Sequence, residues 1–390
     1  MVTLPAAAWR ERAGLVELTA ALGAGNARFV GGAVRDTLLG LDVHDIDIAT
    51  PLRPDDVVDR VRAAGFKPVP TGIAHGTVTA VLPSGPVEVT TLRRDVSTDG
   101  RHAVVAFADD WREDAARRDF TMNALYADPA NGEIFDYFGG RADLAAGRVR
   151  FIGDPLQRIA EDHLRILRFF RFLARFGDAP DAAGLAACEA RANDLMALSR
   201  ERIRDELLKL LVAKNAVAVV TLMIAHGIFA PVLPEITDPA WLAALADAEA
   251  VAGVAPHPIR RLAALLPADQ TEEVGARLKL SNAERKRLVA AGTGPGDAGP
   301  RALAYRAGVD SARDRLLLAG QPIAGVDLWQ PPRFPLTGGA IIARGVTAGP
   351  DVARLLKQVE TAWIAADFPA SADAIADAIV AQELRSSRNS

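Results

Sequence analysis

The chain has 390 residues, 50% of them hydrophobic and 24% charged, with a formal net charge of −4. That length suggests about two to three domains, and the balance excludes disorder over most of the chain. A single cysteine, Cys188, excludes a disulfide framework and a cysteine-type zinc site, and six histidines with no HxxxH pair leave little for a histidine metal site. Arg28 to Val30 is a short extended run that meets Gly31-Gly32, and Ala33 to Leu39 then reads as a helix stopped by Gly40. Val43 to Ala49 alternates Val43, Asp45, Asp47 and Ala49 against His44, Ile46 and Ile48, the mark of a half-buried strand. Pro54 to Ala64 predicts a helix with proline in its first turn and Gly65 beyond its end. Thr77 to Leu82 and Pro86 to Leu92 read as strands around the turn Pro83-Ser84-Gly85. Arg94 to Asp110 is polar and reads as a loop.

After about Arg150 the strand signals nearly vanish. Leu156 to Arg175, Arg202 to Val212, Val217 to Ile228, Ala240 to Val251, Pro258 to Leu265, Thr271 to Leu278, Ala283 to Ala291 and Val352 to Ala365 all predict helices, punctuated by Pro, Gly and Asp. The expected fold is an α/β head followed by an all-helical remainder. The longest apolar run, Ala216 to Ala225, is too short to span a bilayer. Met1 to Arg12 lacks the basic-then-apolar layout of an export signal, so a reducing cytoplasm is the expected compartment.

Two local patterns carry chemistry. In Asp45-Ile46-Asp47, carboxylates at i and i+2 of a strand share a face. Their mutual repulsion is relieved by a hard divalent cation such as Mg²⁺; two aspartates on a solvated face are the alternative. Ten residues earlier, Gly31-Gly32-Ala33-Val34-Arg35-Asp36 ends a strand in glycines and opens a helix. Free backbone N–H groups at such a helix start suit phosphate, Gly32 admits close approach, and Arg35 adds a guanidinium fork. Glu88, in the alternating run Val87-Glu88-Val89, offers a third carboxylate or a solvated strand residue. Further on, Asp162, Arg165, Arg168 and Arg171 recur at steps of three and are expected to share one helix face, with Leu167, Phe170 and Leu173 opposite. His75-Gly76-Thr77 reads as a structural turn, Trp111 as an anchor and Cys188 as a packed thiol.

Gly31 to Asp36 followed by Asp45-Ile46-Asp47 resembles the head motif of the class II tRNA nucleotidyltransferases. These are the CCA-adding enzymes and bacterial poly(A) polymerases of the polymerase-β-like superfamily. Arg117-Arg118-Asp119-Phe120-Thr121-Met122-Asn123-Ala124 resembles the family's ribose- and phosphate-handling motif, Glu161-Asp162-His163-Leu164-Arg165 its EDxxR nucleotide-selecting motif, and Glu201 to Leu207 the neck motif that follows. The likeness runs from about residue 26 to 212. It implies a head over 1–150, a nucleotide-selecting neck over 151–215, a body over 216–295 and a tRNA-binding tail over 296–390.

The resemblance implies transfer of C, C and A from CTP and ATP to a tRNA 3′ end without a nucleic-acid template. Asp45 and Asp47 would hold two Mg²⁺ ions, and Gly32 and Arg35 phosphates. Arg118 would contact the triphosphate, with Asp119 and Asn123 at the ribose or phosphates. Asp162 and Arg165 would read the base: the carboxylate accepts from the amino group of cytosine or adenine, and the guanidinium donates to the ring nitrogen. Uracil and guanine invert that pattern, leaving polar groups unpaired at roughly 1–3 kcal/mol each. Arg168 and Arg171 would support this pair. Thr90 to His102 resembles the mobile loop of complete CCA-adding enzymes, of the animal mitochondrial and α-proteobacterial type. A poly(A) polymerase and an inactive RNA-binding protein are the alternatives. tRNA is the expected partner, with no membrane and no protein partner implied.

Overall fold

The computed structural model describes residues 2–98 and 103–388. The chain forms two compact units, Met1–Pro239 and Ala240–Ser390.

The first unit is built on a seven-stranded sheet. Its elements are α1 (Leu15–Leu22), β1 (Arg28–Val30), α2 (Gly32–Leu38), β2 (Asp47–Thr50), α3 (Pro54–Ala63), β3 (Lys67–Gly72), β4 (Thr77–Leu82), β5 (Gly85–Thr91), β6 (Arg93–Thr98), β7 (Ala103–Phe107), α4 (Trp111–Ala116), β8 (Leu125–Ala127) and β9 (Ile134–Asp136). The strand order is β3-β4-β5-β2-β1-β8-β9. Only the β2–β5 pairing is parallel, with Asp47 opposite Glu88; the other pairings in this sheet are antiparallel. Alternation places Val78, Ala80 and Leu82 of β4, and Val87 and Val89 of β5, in the core. In α3, Pro54 starts the helix, Asp55 and Asp56 sit at the positive end, and Val57 and Val61 are buried.

Helices complete this unit: α5 (Gly140–Ala145), α6 (Pro155–Glu161), α7 (Arg165–Phe176), α8 (Ala182–Ala190), α9 (Arg200–Leu211) and α10 (Ala216–Ala225). A short parallel pair, β10 (Arg148–Val149) with β11 (Ala179–Pro180), lies among them. Aromatic packing ties α7 to the segment preceding β8. Phe151 stacks on Phe169 at 5.6 Å, and Phe120 lies 4.9 Å from Phe151 and 5.2 Å from Phe172.

Three expectations need correction. The strand expected over Val43 to Ala49 is confined to Asp47–Thr50, so Asp45 precedes it in irregular chain. The loop expected over Arg94 to Asp110 contains the antiparallel hairpin β6–β7, in which Val104 and Val105 pair with Ser97 and Asp95; its polar residues masked the β-branched ones. Asp99, Gly100, Arg101 and His102 lie outside the described residues. The helix expected over Leu156 to Arg175 is broken. Asp162 is extended (φ −152°, ψ 107°), its carboxylate accepts from the Leu164 N–H at 3.1 Å, and its carbonyl accepts from the Arg165 N–H at 3.0 Å. A short acidic side chain bonding to nearby backbone favours a turn over a continuing helix. Asp162 therefore does not share a helix face with Arg165, Arg168 and Arg171.

The second unit is helical: α11 (Ala240–Ala252), α12 (Pro258–Ala263), α13 (Thr271–Arg277), α14 (Asn282–Gly292), α15 (Pro300–Ala307), α16 (Val309–Leu318), α17 (Gly338–Ile342), α18 (Pro350–Ala365) and α19 (Asp373–Arg388). A capping box between Ser281 and Glu284 starts α14. Leu355, Val359 and Trp363 of α18 pack with Ala376 and Val380 of α19. Beside this apolar core lies a buried ionic one. Arg260 donates to Glu249 at 2.7 Å and to Asp314 at 3.1 Å, and Arg287 donates to Asp314 at 2.6 Å. Arg260, Glu249 and Asp314 are each at most 2% exposed.

Removing one partner from such a cluster leaves an uncompensated buried charge, costing about 3–5 kcal/mol. Asp314→Ala is expected to lower the unfolding free energy from denaturant titration by that amount in the transition reporting the second unit. Arg354→Ala, which breaks an exposed pair with Asp351 and Glu383, is expected to leave the midpoint in place.

Candidate active site

A cavity of about 360 Å³ in the first unit is lined by Gly31, Gly32, Arg35, Asp47, Arg118, Asp119, Asn123, Asp162, Arg165, Arg168 and Phe172. These residues come from the β1–α2 turn, β2, the stretch after α4, the α6–α7 break and α7. The chain leaves β1 through Gly31, whose φ of 68° suits glycine; a Cβ there would stand 3.5 Å from an Arg118 nitrogen. Because α2 spans only seven residues, its dipole is short, and the cavity's positive charge rests mainly on Arg35, Arg118, Arg165 and Arg168.

Those arginines are held by buried acids. Asp119 accepts from Arg168 Nε at 2.7 Å, from Asn123 at 2.9 Å and from the Phe120 N–H at 2.8 Å. Asn123 in turn accepts from Arg35, which also donates to Asp36 at 2.7 Å. Burial alone would raise the Asp119 pKa; the Arg168 guanidinium and the Asn123 and Phe120 donors outweigh it and bring it down to about 2. Asp114, on the buried side of α4, accepts from Arg117, Arg118 and the Tyr126 hydroxyl, and these outweigh its burial to bring its pKa to about 2. The Arg118 guanidinium loses hydration there, yet Tyr126 and Asp114 keep its pKa above the ordinary arginine value. Phe172 supplies an apolar wall: the guanidiniums of Arg171, Arg35 and Arg168 lie 4.5, 5.2 and 5.4 Å from its ring centroid.

The base-reading pair is arranged differently from expectation. Both Asp162 carboxylate oxygens accept from Arg202 of α9, at 3.0 and 3.1 Å. Arg165 donates to Glu161 at 2.6 Å and to the carbonyls of Arg158 and Arg117. Asp162 and Arg165 therefore line one cavity while each is oriented by another partner. A carboxylate has about four acceptor sites and a guanidinium five donors. These bonds use three of the first and three of the second, so both keep capacity for a ligand.

The acidic groups do not all converge. Asp47 is half-buried and lines the cavity, whereas Asp45 and Glu88 are exposed and do not. Glu88 stands opposite Asp47 in the parallel register. Burial raises the Asp47 pKa, and the Glu88 and Asp45 carboxylates add to the rise against Arg118. Among the described residues, no group of three or more His, Cys, Asp or Glu side chains is placed to hold a metal ion; Glu88, expected as a third carboxylate beside the metal pair, acts on Asp47 from outside the cavity lining. The remaining set is an aspartate pair whose mutual repulsion a hard divalent ion relieves. Mg²⁺ binds through one or two carboxylates plus substrate phosphates and water, so these residues fit such an ion.

Arg171 also departs from expectation. It pairs with the buried Glu206 of α9 and does not line this cavity. Cys188 is buried, which pushes its thiol pKa up. Trp111 anchors α4 edge-on to Tyr126 at 5.8 Å and under the Arg28 guanidinium at 4.1 Å. Sequence reasoning assigned no role to Glu161, Arg202, Asp114 or Phe172. Glu161 and Arg202 sit within stretches already singled out, so position was a signal. For Asp114 the signal was the i+3 and i+4 spacing to Arg117 and Arg118; only Tyr126 is brought to it from further along the chain.

Residues 27–150 match the poly(A) polymerase head domain family, and residues 181–238 match the family described as the probable RNA and SrmB binding site of polymerase A. The mouse mitochondrial CCA tRNA nucleotidyltransferase 1 is 38% identical over 86% of this chain and 82% of its own. Its human counterpart is 36% identical over the same shares. The crystal structure of the Bacillus stearothermophilus CCA-adding enzyme in complex with CTP superimposes with a TM-score of 0.75 at 28% identity, covering 96% of this chain and 98% of that one. The cavity, the fold and these likenesses agree: the chain belongs to the family of CCA-adding tRNA nucleotidyltransferases built on a poly(A) polymerase head.

Proposed function

We propose that this cavity transfers nucleotides from CTP and ATP to the 3′ end of a tRNA, adding C, C and A without a nucleic-acid template. The observation that carries the reading is the convergence of sequence-distant arginines, Asp47 and the Asp162–Arg165 pair on one cavity. The head corresponds to 1–150, the nucleotide-selecting neck to 151–215, the body to 216–295 and the tRNA-binding tail to 296–390. The single buried thiol suits a reducing compartment, in line with a cytoplasmic enzyme, and among the described residues no helix is long and apolar enough to cross a membrane.

In this reading Arg35, Arg118 and Arg168 meet the triphosphate, and positioning with charge compensation supplies most of the rate. Asp162 accepts from the amino group of cytosine or adenine while Arg165 donates to the ring nitrogen. Arg202 and Glu161 hold that pair in register. Asp119 spends its four acceptor sites on two Arg168 N–H groups, Asn123 and the Phe120 N–H, so in this reading it acts at the nucleotide by positioning Arg168. Asp45 and Asp47 would hold Mg²⁺; bound there, the ions would favour deprotonation of the RNA 3′-hydroxyl and offset charge on the leaving pyrophosphate. Glu88, beside Asp47, adds negative field without lining the cavity.

The test is incorporation of labelled CTP and ATP into tRNA lacking its last three nucleotides, resolved to single nucleotides. The expected result is three additions that then stop and require both substrates. A long ladder from ATP alone would replace this reading with poly(A) synthesis, and tRNA binding without incorporation would replace it with RNA binding alone. Asp47→Ala is expected to cut the rate at least about a hundredfold.

Asp162→Ala is expected to erode discrimination between CTP and UTP by about 5- to 150-fold, the equivalent of one unpaired polar group. Competition between the two nucleotides for incorporation measures it.

Asp119 gives a pH prediction. Its folded pKa of about 2 lies below the unfolded value of 3.8. The stabilisation is therefore full above about pH 4 and lost as pH falls towards 2; the shift corresponds to about 2 kcal/mol. Asp119→Asn is expected to lower stability at neutral pH and to flatten the unfolding free energy between pH 4 and 2 relative to the parent chain.

A further inference from the structure

A second cleft of about 400 Å³ draws on α7 further along from the residues that line the first cavity, and is lined by Arg171, Arg175, Lys209, Val212, Ala213 and Lys214. Its charged lining is entirely basic. Arg171 is offset by Glu206 and Arg175 by Asp36 at 3.5 Å. Lys209 and Lys214 are exposed, and among the described residues neither has an acidic partner within ion-pair distance. Two uncompensated cations thus share the lining of a concavity with two arginines.

Arg168 lines the nucleotide cavity, and Arg171 and Arg175 line the cleft. Three and seven residues of helix separate them, about 4.5 and about 10.5 Å along the axis. Arg171 also lies over Phe172, a wall of the nucleotide cavity. A strand that presents its 3′ end to that cavity from the Arg171–Arg175 end of α7 would pass its last phosphates within this distance.

We propose that the cleft is a second anion subsite, which takes phosphodiester oxygens of the RNA strand just upstream of the reacting 3′ end. The inference rests on the proposed transfer to RNA. Flexible lysine ammoniums give a sequence-independent grip on backbone phosphate. That suits a terminus that changes length at each addition. Val212 and Ala213 leave the wall between the cations free of competing acceptors.

The test is the salt dependence of binding, without nucleotide, of tRNA lacking its last three nucleotides to the full chain. Neutralising two single-strand phosphate contacts contributes about 1.4 to the slope of log affinity against log salt. The double variant Lys209→Gln, Lys214→Gln is expected to reduce the slope by about that much and to weaken binding several-fold at low salt. Its KM for tRNA is expected to rise while its KM for CTP holds. The double variant Lys209→Arg, Lys214→Arg keeps the charge and is expected to keep the slope, which separates charge from fold.

A slope and affinity equal to the parent's would overturn the proposal. So would an unchanged tRNA slope with a raised KM for pyrophosphate in the reverse reaction, which would assign the cleft to the leaving group. A parent chain that incorporates CTP while the slope stays fixed in the variant removes only the cleft. A parent chain that neither incorporates nucleotide nor binds tRNA removes the functional reading itself.

Discussion

The buried pair between Asp119 and Arg168 fixes the geometry on which the site depends. Asp119 follows α4 in the head, and Arg168 belongs to the helix after the Asp162 turn. Their link therefore ties the stretch after α4 to α7 across the cavity that both line. The same carboxylate orients Asn123, which orients Arg35, and Arg35 bonds to Asp36, which lies 3.5 Å from Arg175 of α7. The chain of contacts runs out from α7 and returns to it. Asp119 stays ionised at neutral pH, because Arg168, Asn123 and the Phe120 N–H bring its pKa down to about 2.

That frame explains how one cavity can hold a dense set of arginines. Each guanidinium that lines it has an acid or hydroxyl behind it: Arg35 has the buried Asp36, Arg118 the buried Asp114 and Tyr126, Arg165 the half-buried Glu161, and Arg168 the buried Asp119. Such pairing offsets part of the cost of desolvating the cations and leaves spare N–H donors for an anionic ligand. Asp162 shows the complementary arrangement, an acceptor oriented by Arg202 with capacity to spare. A site assembled in this way holds its donors and acceptors in place before a ligand arrives, which is where positioning gains its rate.

Much of the fold and of this site was legible in the sequence because the relevant signals are local. Gly31-Gly32 before a helix, Pro54 at a first turn, and the alternation of Thr77 to Leu82 depend on neighbours in the chain, and the elements follow. What stayed hidden depends on partners far away. Lys67–Gly72 carries two prolines and gave no strand signal, yet it forms a strand at the sheet edge, where missing N–H donors are tolerated. Spacing by threes placed Asp162 with the arginines; the structure spends Asp162 on capping the turn before Arg165 and on Arg202, which is 40 residues away. Arg171 fits the same spacing but faces Glu206, because a helix side chain at i+3 is already rotated towards the neighbouring α9. Periodicity finds a face, and only tertiary packing says what the face meets.

The central claim is that protein side chains alone select the nucleotide. Its most direct measurement is the affinity of the full chain for CTP, ATP, UTP and GTP with Mg²⁺ and without any nucleic acid. The account predicts that CTP and ATP bind about tenfold or more tightly than UTP and GTP, the equivalent of leaving one or more polar groups unpaired. Equal affinity for all four, or a preference that emerges only when RNA is added, would contradict it.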